Sequence, residues 1–188
     1  MIQNTRAWAT AALVAALLVL LAGTVGPSAA QAAGCAKANA SPSEASSTEL
    51  AAAVACLVNK ERKQAGKKPV KPNRDLARVA AKHTEVMLKT DCLDHRCPGE
   101  SRLEERILRS GYLDRGGRYG FGENTGCAIT PAAMVDVWMA KRRPSRIILG
   151  KRFRDVGIAA SKGSPDVAGC DEGGPRATYT LILAWRNQ

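Results

Sequence analysis

Residues 178–185 read TYTLILAW and residues 155–160 read DVGIAA, and these two stretches decide the fold. Each is a short apolar run with β-branched or aromatic side chains, which predicts a β-strand. A loop rich in Gly, Pro and Asp separates them, and the sequence before them carries helical patterns. Helices first and strands later predict an α+β domain in which helices pack against an antiparallel sheet.

Apolar residues recur at the spacing of an α-helix in four segments before these strands. The first segment ends at Gly66, a residue type that stops helices. At the third, Ser101 followed by Glu104 has the form of a capping box, and at the fourth Pro131 occupies the first turn. The predicted helices begin near Ser47 or Thr48, near Asn73 or Asp75, at Ser101 and at Thr130.

The N-terminus has the layout of a secretion signal. A short polar segment with one charge, Arg6, precedes a charge-free apolar run over residues 11–22, and small residues follow. This order predicts a signal peptide over residues 1–33, cut after one of the alanines at positions 30, 32 and 33. The apolar run has 12 residues, whereas a spanning helix needs about 20, which disfavours a membrane anchor.

The remainder, about 155 residues, has the size of one domain. Residues 34–47 are rich in Ala, Ser and Pro, and we expect a flexible segment that is held to the surface by Cys35. Residues 48–188 then form the folded domain. A lipid anchor on Cys35 is an alternative, although alanine stands where lipoproteins usually carry a larger aliphatic residue.

All six cysteines follow the predicted signal. An even number in an exported chain predicts disulfides, with more pairings than the sequence alone can decide. Order along the chain favours Cys35–Cys56, Cys92–Cys97 and Cys127–Cys170. A structural zinc site is the alternative, but the chain has no CxxC pair and only two histidines.

The chain is strongly basic, with a net charge of +11. Removal of residues 1–33 takes away only Arg6, which leaves 27 Lys and Arg against 17 Asp and Glu, or +10. Such a charge favours anionic partners outside the cell, such as anionic lipids or cell-wall polymers. The sequence lacks the motifs of nucleic-acid-binding domains, so no nucleic-acid partner is expected.

Three residues stand out as candidates for chemistry. His83 lies on the apolar stripe of the second predicted helix and is interpreted as a packed histidine with one hydrogen bond. His95 lies in a polar loop inside the Cys92–Cys97 pair, and Glu123 stands beside a glycine that lets the backbone turn. His95 and Glu123 could share a divalent cation or polarise a water molecule. No nucleophile motif and no phosphate-binding loop accompany them.

Seven motifs in order resemble the bacterial members of the CAP superfamily, which comprises the cysteine-rich secretory, antigen 5 and pathogenesis-related 1 proteins. Each motif is short, but their order over residues 54–185 makes the resemblance specific. The motifs are LVNKERKQAG (57–66), LARVAAKHTEVM (76–87), LDHRCPG (93–99), RILRSGY (106–112), GEN (122–124), VDVWM (135–139), and VGIA (156–159) with the final strand.

The resemblance implies an α-β-α sandwich with a central cleft lined by two histidines and two acidic residues, which can hold a divalent metal. His95 matches the first histidine and Glu123 matches the acid of the GEN motif. The sequence departs from the pattern at the second histidine, where Pro144 stands, preceded by Lys141, Arg142 and Arg143. Proline cannot ligate a metal, and the cations would repel one, so the cleft is better suited to an anion.

Three functions follow from this combination. The first is a secreted, non-enzymatic CAP domain that binds an anionic, lipid or cell-envelope ligand through the cleft. The second is a secreted hydrolase, a protease or cell-wall enzyme, that uses His95 and Glu123. The third is a structural or interaction protein with a vestigial cleft. The sequence favours a protein that is not an enzyme, because the cleft lacks a complete reactive set.

Overall fold

The computed structural model describes residues 34–113, 117–170 and 174–187. The predicted signal peptide, residues 1–33, lies outside the described residues. Within them the chain forms five helices and four strands. In chain order these are α1 (Ser47–Gln64), β1 (Lys71–Pro72), α2 (Arg74–Lys89), α3 (Leu103–Arg109), β2 (Tyr119–Ala128), α4 (Pro131–Ala140), α5 (Arg142–Ile148), β3 (Asp155–Lys162) and β4 (Ala177–Arg186).

The sheet has the strand order β1-β3-β4-β2, and β4 runs antiparallel to both of its neighbours. The two-residue β1 pairs parallel with β3 at one edge, so the sheet is mixed. Every residue of β4 from Ala177 to Ala184 is buried. This burial explains why the TYTLILAW stretch is apolar, since helices cover both faces of the central strand.

The helices cover the two faces of the sheet as two separate layers. On one face α1, α4 and α5 enclose a core that includes Trp138, Tyr179 and Leu181. On the other face α2 and α3 enclose a smaller core around Leu76 and Ile182. The α+β class and the α-β-α sandwich predicted from the sequence are therefore confirmed.

Helix α2 lies directly against β3, because Gly157 leaves room for it. A Cβ atom at Gly157 would lie 2.1 Å from the carbonyl carbon of Leu76. The start of the same helix is fixed by Asn73, whose Oδ1 accepts hydrogen bonds from the backbone of Asp75 and Leu76 at 3.0 and 3.1 Å. This position matters for function, since α2 carries His83.

The first motif of the sequence, LVNKERKQAG, connects α1 to distant loops. Asn59 exchanges two hydrogen bonds with the backbone of Val70. Arg62 is fully buried and its Nη1 donates to the carbonyl oxygens of Ile148 and Gly150 at 2.6 and 3.1 Å. Burial lowers the pKa of Arg62. These two side chains replace backbone partners that the turns after α1 and α5 would otherwise lack.

Three local predictions differ from the structure. The third helix begins at Leu103, its N-cap is Arg102, and it has no side-chain cap, so the Ser101–Glu104 capping box is wrong. Glu104 instead accepts a hydrogen bond from the Tyr119 hydroxyl at 2.6 Å. Two elements were not predicted: strand β2 and the short helix α5.

The segment before α1 is packed more closely than its composition suggested. Ala38 and Ala45 are buried in the main core, and the carbonyl of Ala38 accepts from the amide of Ala132 at 2.9 Å. A capping box formed by Ser46 and Glu49 then starts α1. The flexibility of residues 34–47 in solution stays a prediction.

Three disulfides tie these layers together. They join Cys35 to Cys56, Cys92 to Cys97 and Cys127 to Cys170, the pairs that order along the chain favoured. No helix in the described ranges combines the length and the apolar character that crossing a bilayer requires.

Candidate functional site

His95 and Glu123 meet in a cleft at the edge of the sheet. The Nδ1 atom of His95 lies 2.9 Å from Oε1 of Glu123. The imidazole is 63% exposed, whereas the carboxylate is only 2% exposed. Because an ionised carboxylate only accepts hydrogen bonds, Nδ1–H donates to it, and the opposite ring edge faces the solvent.

The short loop closed by Cys92 and Cys97 presents His95, but a strand presents Glu123. The sequence interpretation placed Glu123 at a turn beside a flexible glycine, and this is wrong: it lies in the middle of β2, opposite Ile182 of β4. Side chains alternate along a strand, so Glu123 shares the face of Ile182 and Asn124 shares the face of Leu181. Glu123 therefore points toward the layer of α2 and α3.

A buried arginine lies between two carboxylates at the base of the cleft. The guanidinium of Arg106 lies 3.3 Å from Oε1 of Glu100 and 3.3 Å from Oε2 of Glu123. Its Nη2 also donates to the carbonyl of His95 at 2.8 Å. Arg106 and Glu100 are each 8% exposed, so this pairing is shielded from water.

His83 completes this group from the side of α2. It is fully buried, and its Nδ1 lies 2.8 Å from both oxygens of Glu100, which agrees with a packed histidine. Its Nε2 lies 3.8 Å from Oε1 of Glu123 and makes no hydrogen bond. We call His83, His95, Glu100, Arg106 and Glu123 the carboxylate cluster.

The cluster favours a positive charge on His95. The hydrogen bond from Glu123 is the main cause that raises the pKa of His95 above 6.5, and the negative charges of Glu123 and Asp94 add to it. Partial burial and the nearby Arg106 act in the opposite direction. With His95 protonated, two carboxylates face one guanidinium and one imidazolium, which leaves the buried pair of acids fully compensated.

Pro144, at the place of the second family histidine, does not join the cluster. Its carbonyl accepts a hydrogen bond from Nδ2 of Asn124 at 3.2 Å. Asn124 points to the face of the sheet opposite to Glu123, because adjacent strand residues alternate. Pro144 thus anchors α5 to β2 through its backbone.

The cleft itself is a shallow cavity of about 370 Å³. Leu103 and Phe121 supply apolar surface, and Arg96 and Arg102 are exposed at its rim. The complete lining is His95, Arg96, Arg102, Leu103, Phe121, Gly122 and Glu123. Since Glu123 is neutralised from below, the accessible charges in this cavity are positive.

The residues present do not fit a divalent cation. Both oxygens of Glu123 are already engaged, one by His95 and the other by Arg106. The positive charge of Arg106 stands beside the carboxylates that would bind the metal. In the ranges that the structure describes, no three His, Cys, Asp or Glu side chains are arranged to hold a metal ion.

Sequence reasoning identified His95 and Glu123 but missed the roles of Glu100 and Arg106. Only the resemblance to an R-I-x-x-x-G-Y motif drew attention to Arg106. A stronger signal was available in the position of Arg106 directly before Ile107, on a helix with one buried face.

The comparisons with known proteins agree with this fold. The model of the cysteine-rich secretory protein family, CAP, matches residues 56–172, more than half of the chain. No curated protein matches the sequence.

Three solved bacterial structures have a similar fold. An extracellular protein of Bacillus anthracis that contains an SCP domain has 18% identity and a TM-score of 0.59, over 73% of this chain and 40% of that one. An outer surface protein of Borrelia burgdorferi has 12% identity and a TM-score of 0.56, over 71% and 90%. A cysteine-rich secretory protein of Staphylococcus aureus has 16% identity and a TM-score of 0.51, over 74% and 39%. The chain thus spans about two fifths of the length of the first and third of these proteins.

Proposed function

The chain belongs to the cysteine-rich secretory protein (CAP) family, and from that premise we propose that it is an exported, non-enzymatic protein that binds an anionic group of a lipid or cell-envelope polymer in its cleft. Export is supported by the signal-like N-terminus, by three disulfides and by the extracellular description of a solved relative. Disulfides persist mainly in oxidising compartments.

The single observation that carries the anionic ligand is the charge of the cleft. Glu123 is the only acid that lines it, and that acid is paired from two sides. The groups that remain accessible are the imidazole of His95 and the guanidinium groups of Arg96 and Arg102. Arginine forks bind carboxylate and phosphate oxygens in pairs of hydrogen bonds.

The chemistry of the cleft supports binding rather than turnover. Its lining includes no serine, threonine or cysteine that could act as a nucleophile. The carboxylate of Glu123 is buried beneath His95 and paired with Arg106, so it cannot reach a substrate. A binding role requires only the exposed cations and the apolar surface of Leu103 and Phe121.

One observation favours the hydrolase as a second candidate. A buried carboxylate orients the imidazole of His95 through Nδ1, which leaves Nε2 at the exposed edge of the ring. That is the arrangement of a histidine that acts as a general base on a water molecule. Turnover of a peptide or cell-wall substrate that is lost in a folded His95→Ala protein would promote this candidate over binding.

The proposed function is tested by sedimentation of the protein, purified from culture medium, with cell walls that carry or lack anionic polymers, and with anionic or neutral vesicles. Binding is expected only to the anionic surfaces and should weaken with salt. Arg102→Glu is expected to reduce it at least about tenfold, while Lys162→Glu, an equal charge change outside the cleft, leaves most of it.

The pH gives an independent check, since binding should be stronger below the titration of His95 than above it. Equal binding by Arg102→Glu and Lys162→Glu would reject the cleft as the site. Retention on no anionic surface at physiological salt would reject the function.

A further inference from the structure

A larger cavity lies on the other side of Arg106, between α2 and α3. Its volume is about 560 Å³, within the range of pockets that hold small organic ligands. The loop that follows Cys97 closes one end of it through Pro98 and Gly99. We call this cavity the basic groove, and its lining shares only Arg106 with the carboxylate cluster apart from Glu100.

Cations dominate the rim of the basic groove. Arg78, Lys82 and Lys89 lie on one stripe of α2, because positions 4 and 11 residues apart fall on nearly the same side of a helix. The stripe extends over roughly 16 Å, at 1.5 Å per residue. Arg109 faces it from α3. All four side chains are exposed, and only Arg78 has a recorded acidic partner, Asp75 at 2.7 Å.

The single acid in the lining is Glu100, and it is already neutralised. His83 and Arg106 hold its two oxygens, and its side chain is 8% exposed. Arg106 itself is 8% exposed and lines the groove, and its Nε and Nη1 atoms make no hydrogen bond. A buried guanidinium with unused donors at the inner end of a cavity favours an oxygen anion as ligand.

The floor of the groove is apolar rather than charged. Val79 is 5% exposed, Val86 is partly buried, and Pro98 closes the end. The methylene stems of Lys82 and Lys89 add apolar surface, since long cationic side chains hold their charge in water while their stems cover apolar neighbours. A ligand that satisfies both surfaces carries a short acyl or alkyl chain and an anionic head.

We propose that the basic groove between α2 and α3 binds an anionic amphiphile, with its chain on Val79, Val86 and Pro98 and its phosphate or carboxylate among Lys82, Arg106 and Arg109. This site is separate from the cleft of the proposed function. The two sites use different rim cations, so each can be disabled without the other.

The experiment measures binding by isothermal titration calorimetry to the protein purified from culture medium. The probes are lauroyl lysophosphatidic acid and lauric acid, both below their micelle concentrations, with monolaurin as the neutral amphiphile and glycerol phosphate as the bare head. One molecule of each anionic amphiphile is expected to bind per chain. Monolaurin and glycerol phosphate are expected to bind at least about tenfold more weakly, since each lacks one of the two contacts.

Three variants locate the site. Lys82→Glu with Arg109→Glu should weaken both anionic amphiphiles at least about tenfold, whereas a Lys162→Glu and Lys151→Glu protein with the same net charge should not. Val86→Trp should block the amphiphiles by filling the floor, without any change of charge. Should Val86→Trp fail to fold, the charge variants still decide the location.

Several outcomes would overturn the proposal. These are undetectable binding of both anionic amphiphiles, equal binding of monolaurin, equal binding of glycerol phosphate, and equal affinity in the Lys82→Glu, Arg109→Glu protein and its control. Arg102→Glu separates the two sites, because it should abolish retention on anionic walls and leave amphiphile binding in the groove intact.

Discussion

Replacement of Arg106 by methionine removes the only guanidinium that pairs the buried carboxylates of Glu100 and Glu123. Methionine keeps much of the side-chain length, so the change isolates the charge. Removing one partner from a buried ion pair costs about 3–5 kcal/mol, because the other charge stays buried without compensation. The guanidinium contacts are 3.3 Å long and two of its nitrogens make no hydrogen bond, which places the expected loss near the lower end, about 3 kcal/mol.

Urea unfolding at neutral pH measures this loss as a fall in the free energy of unfolding. Arg109→Met, on the same helix but exposed, is the matched control and should change it by no more than about 0.5 kcal/mol. Adding Glu100→Gln to Arg106→Met should recover part of the loss, because one of the uncompensated charges disappears. A loss below about 1 kcal/mol for Arg106→Met, or no recovery in the double variant, would refute the electrostatic reasoning.

Three further predictions concern the scaffold. Gly157→Ala should destabilise the domain by at least about 3 kcal/mol in urea unfolding, because its Cβ would lie 2.1 Å from backbone, whereas Gly122→Ala meets only the flexible Ile147 side chain and should cost less; equal losses would contradict this. Arg62→Met should cost about 3 kcal/mol through its lost hydrogen bonds to buried carbonyls, and the exposed Lys63→Met should cost almost nothing; a stable Arg62→Met protein would argue against the bridging role. Removing Cys127–Cys170, which spans 43 residues, should cost about 4 kcal/mol, compared with about 2 kcal/mol for Cys92–Cys97, which spans 5; the reverse order in thermal unfolding would exclude the loop-entropy explanation.

The sequence predicted the elements whose local pattern matches their final environment. α1, α2 and α4 begin within about a residue of their predicted starts, because caps at Ser46, Asn73 and Thr130 are written in consecutive residues. β3 and β4 were predicted because burial selects continuous apolar runs.

Strand β2 escaped prediction because glycines weaken its pattern. Gly120, Gly122 and Gly126 interrupt the alternation expected of a strand. The structure requires them, since a Cβ atom would lie 2.4 Å from Trp185, 2.9 Å from Ile147 and 2.5 Å from Met134, respectively. The demand comes from side chains distant in the sequence, which local propensity does not include.

The candidate site was predictable in part for the same reason. His95 and Glu123 were identified through short motifs, and the structure brings them within 2.9 Å. Glu100 and Arg106 become meaningful only when α2, α3 and β2 come together, because their charges are ordinary on an exposed helix and consequential when buried. Pro144 was correctly singled out as a departure from the family pattern, but its place on the opposite face depends on the alternation along β2.

The most direct test of the account is the pKa of His95, followed by its ring resonances in an NMR pH titration of the wild-type protein and of Glu123→Gln. Since Glu123 raises the pKa, its folded value should lie above 6.5 in the wild type and fall toward or below 6.5 in the variant. The stability from this pair is then present below about pH 6.5 and lost as the pH rises through the raised pKa. A wild-type His95 that titrates at or below 6.5, or a pKa that Glu123→Gln leaves unchanged, would contradict a cleft whose positive charge rests on the buried carboxylate.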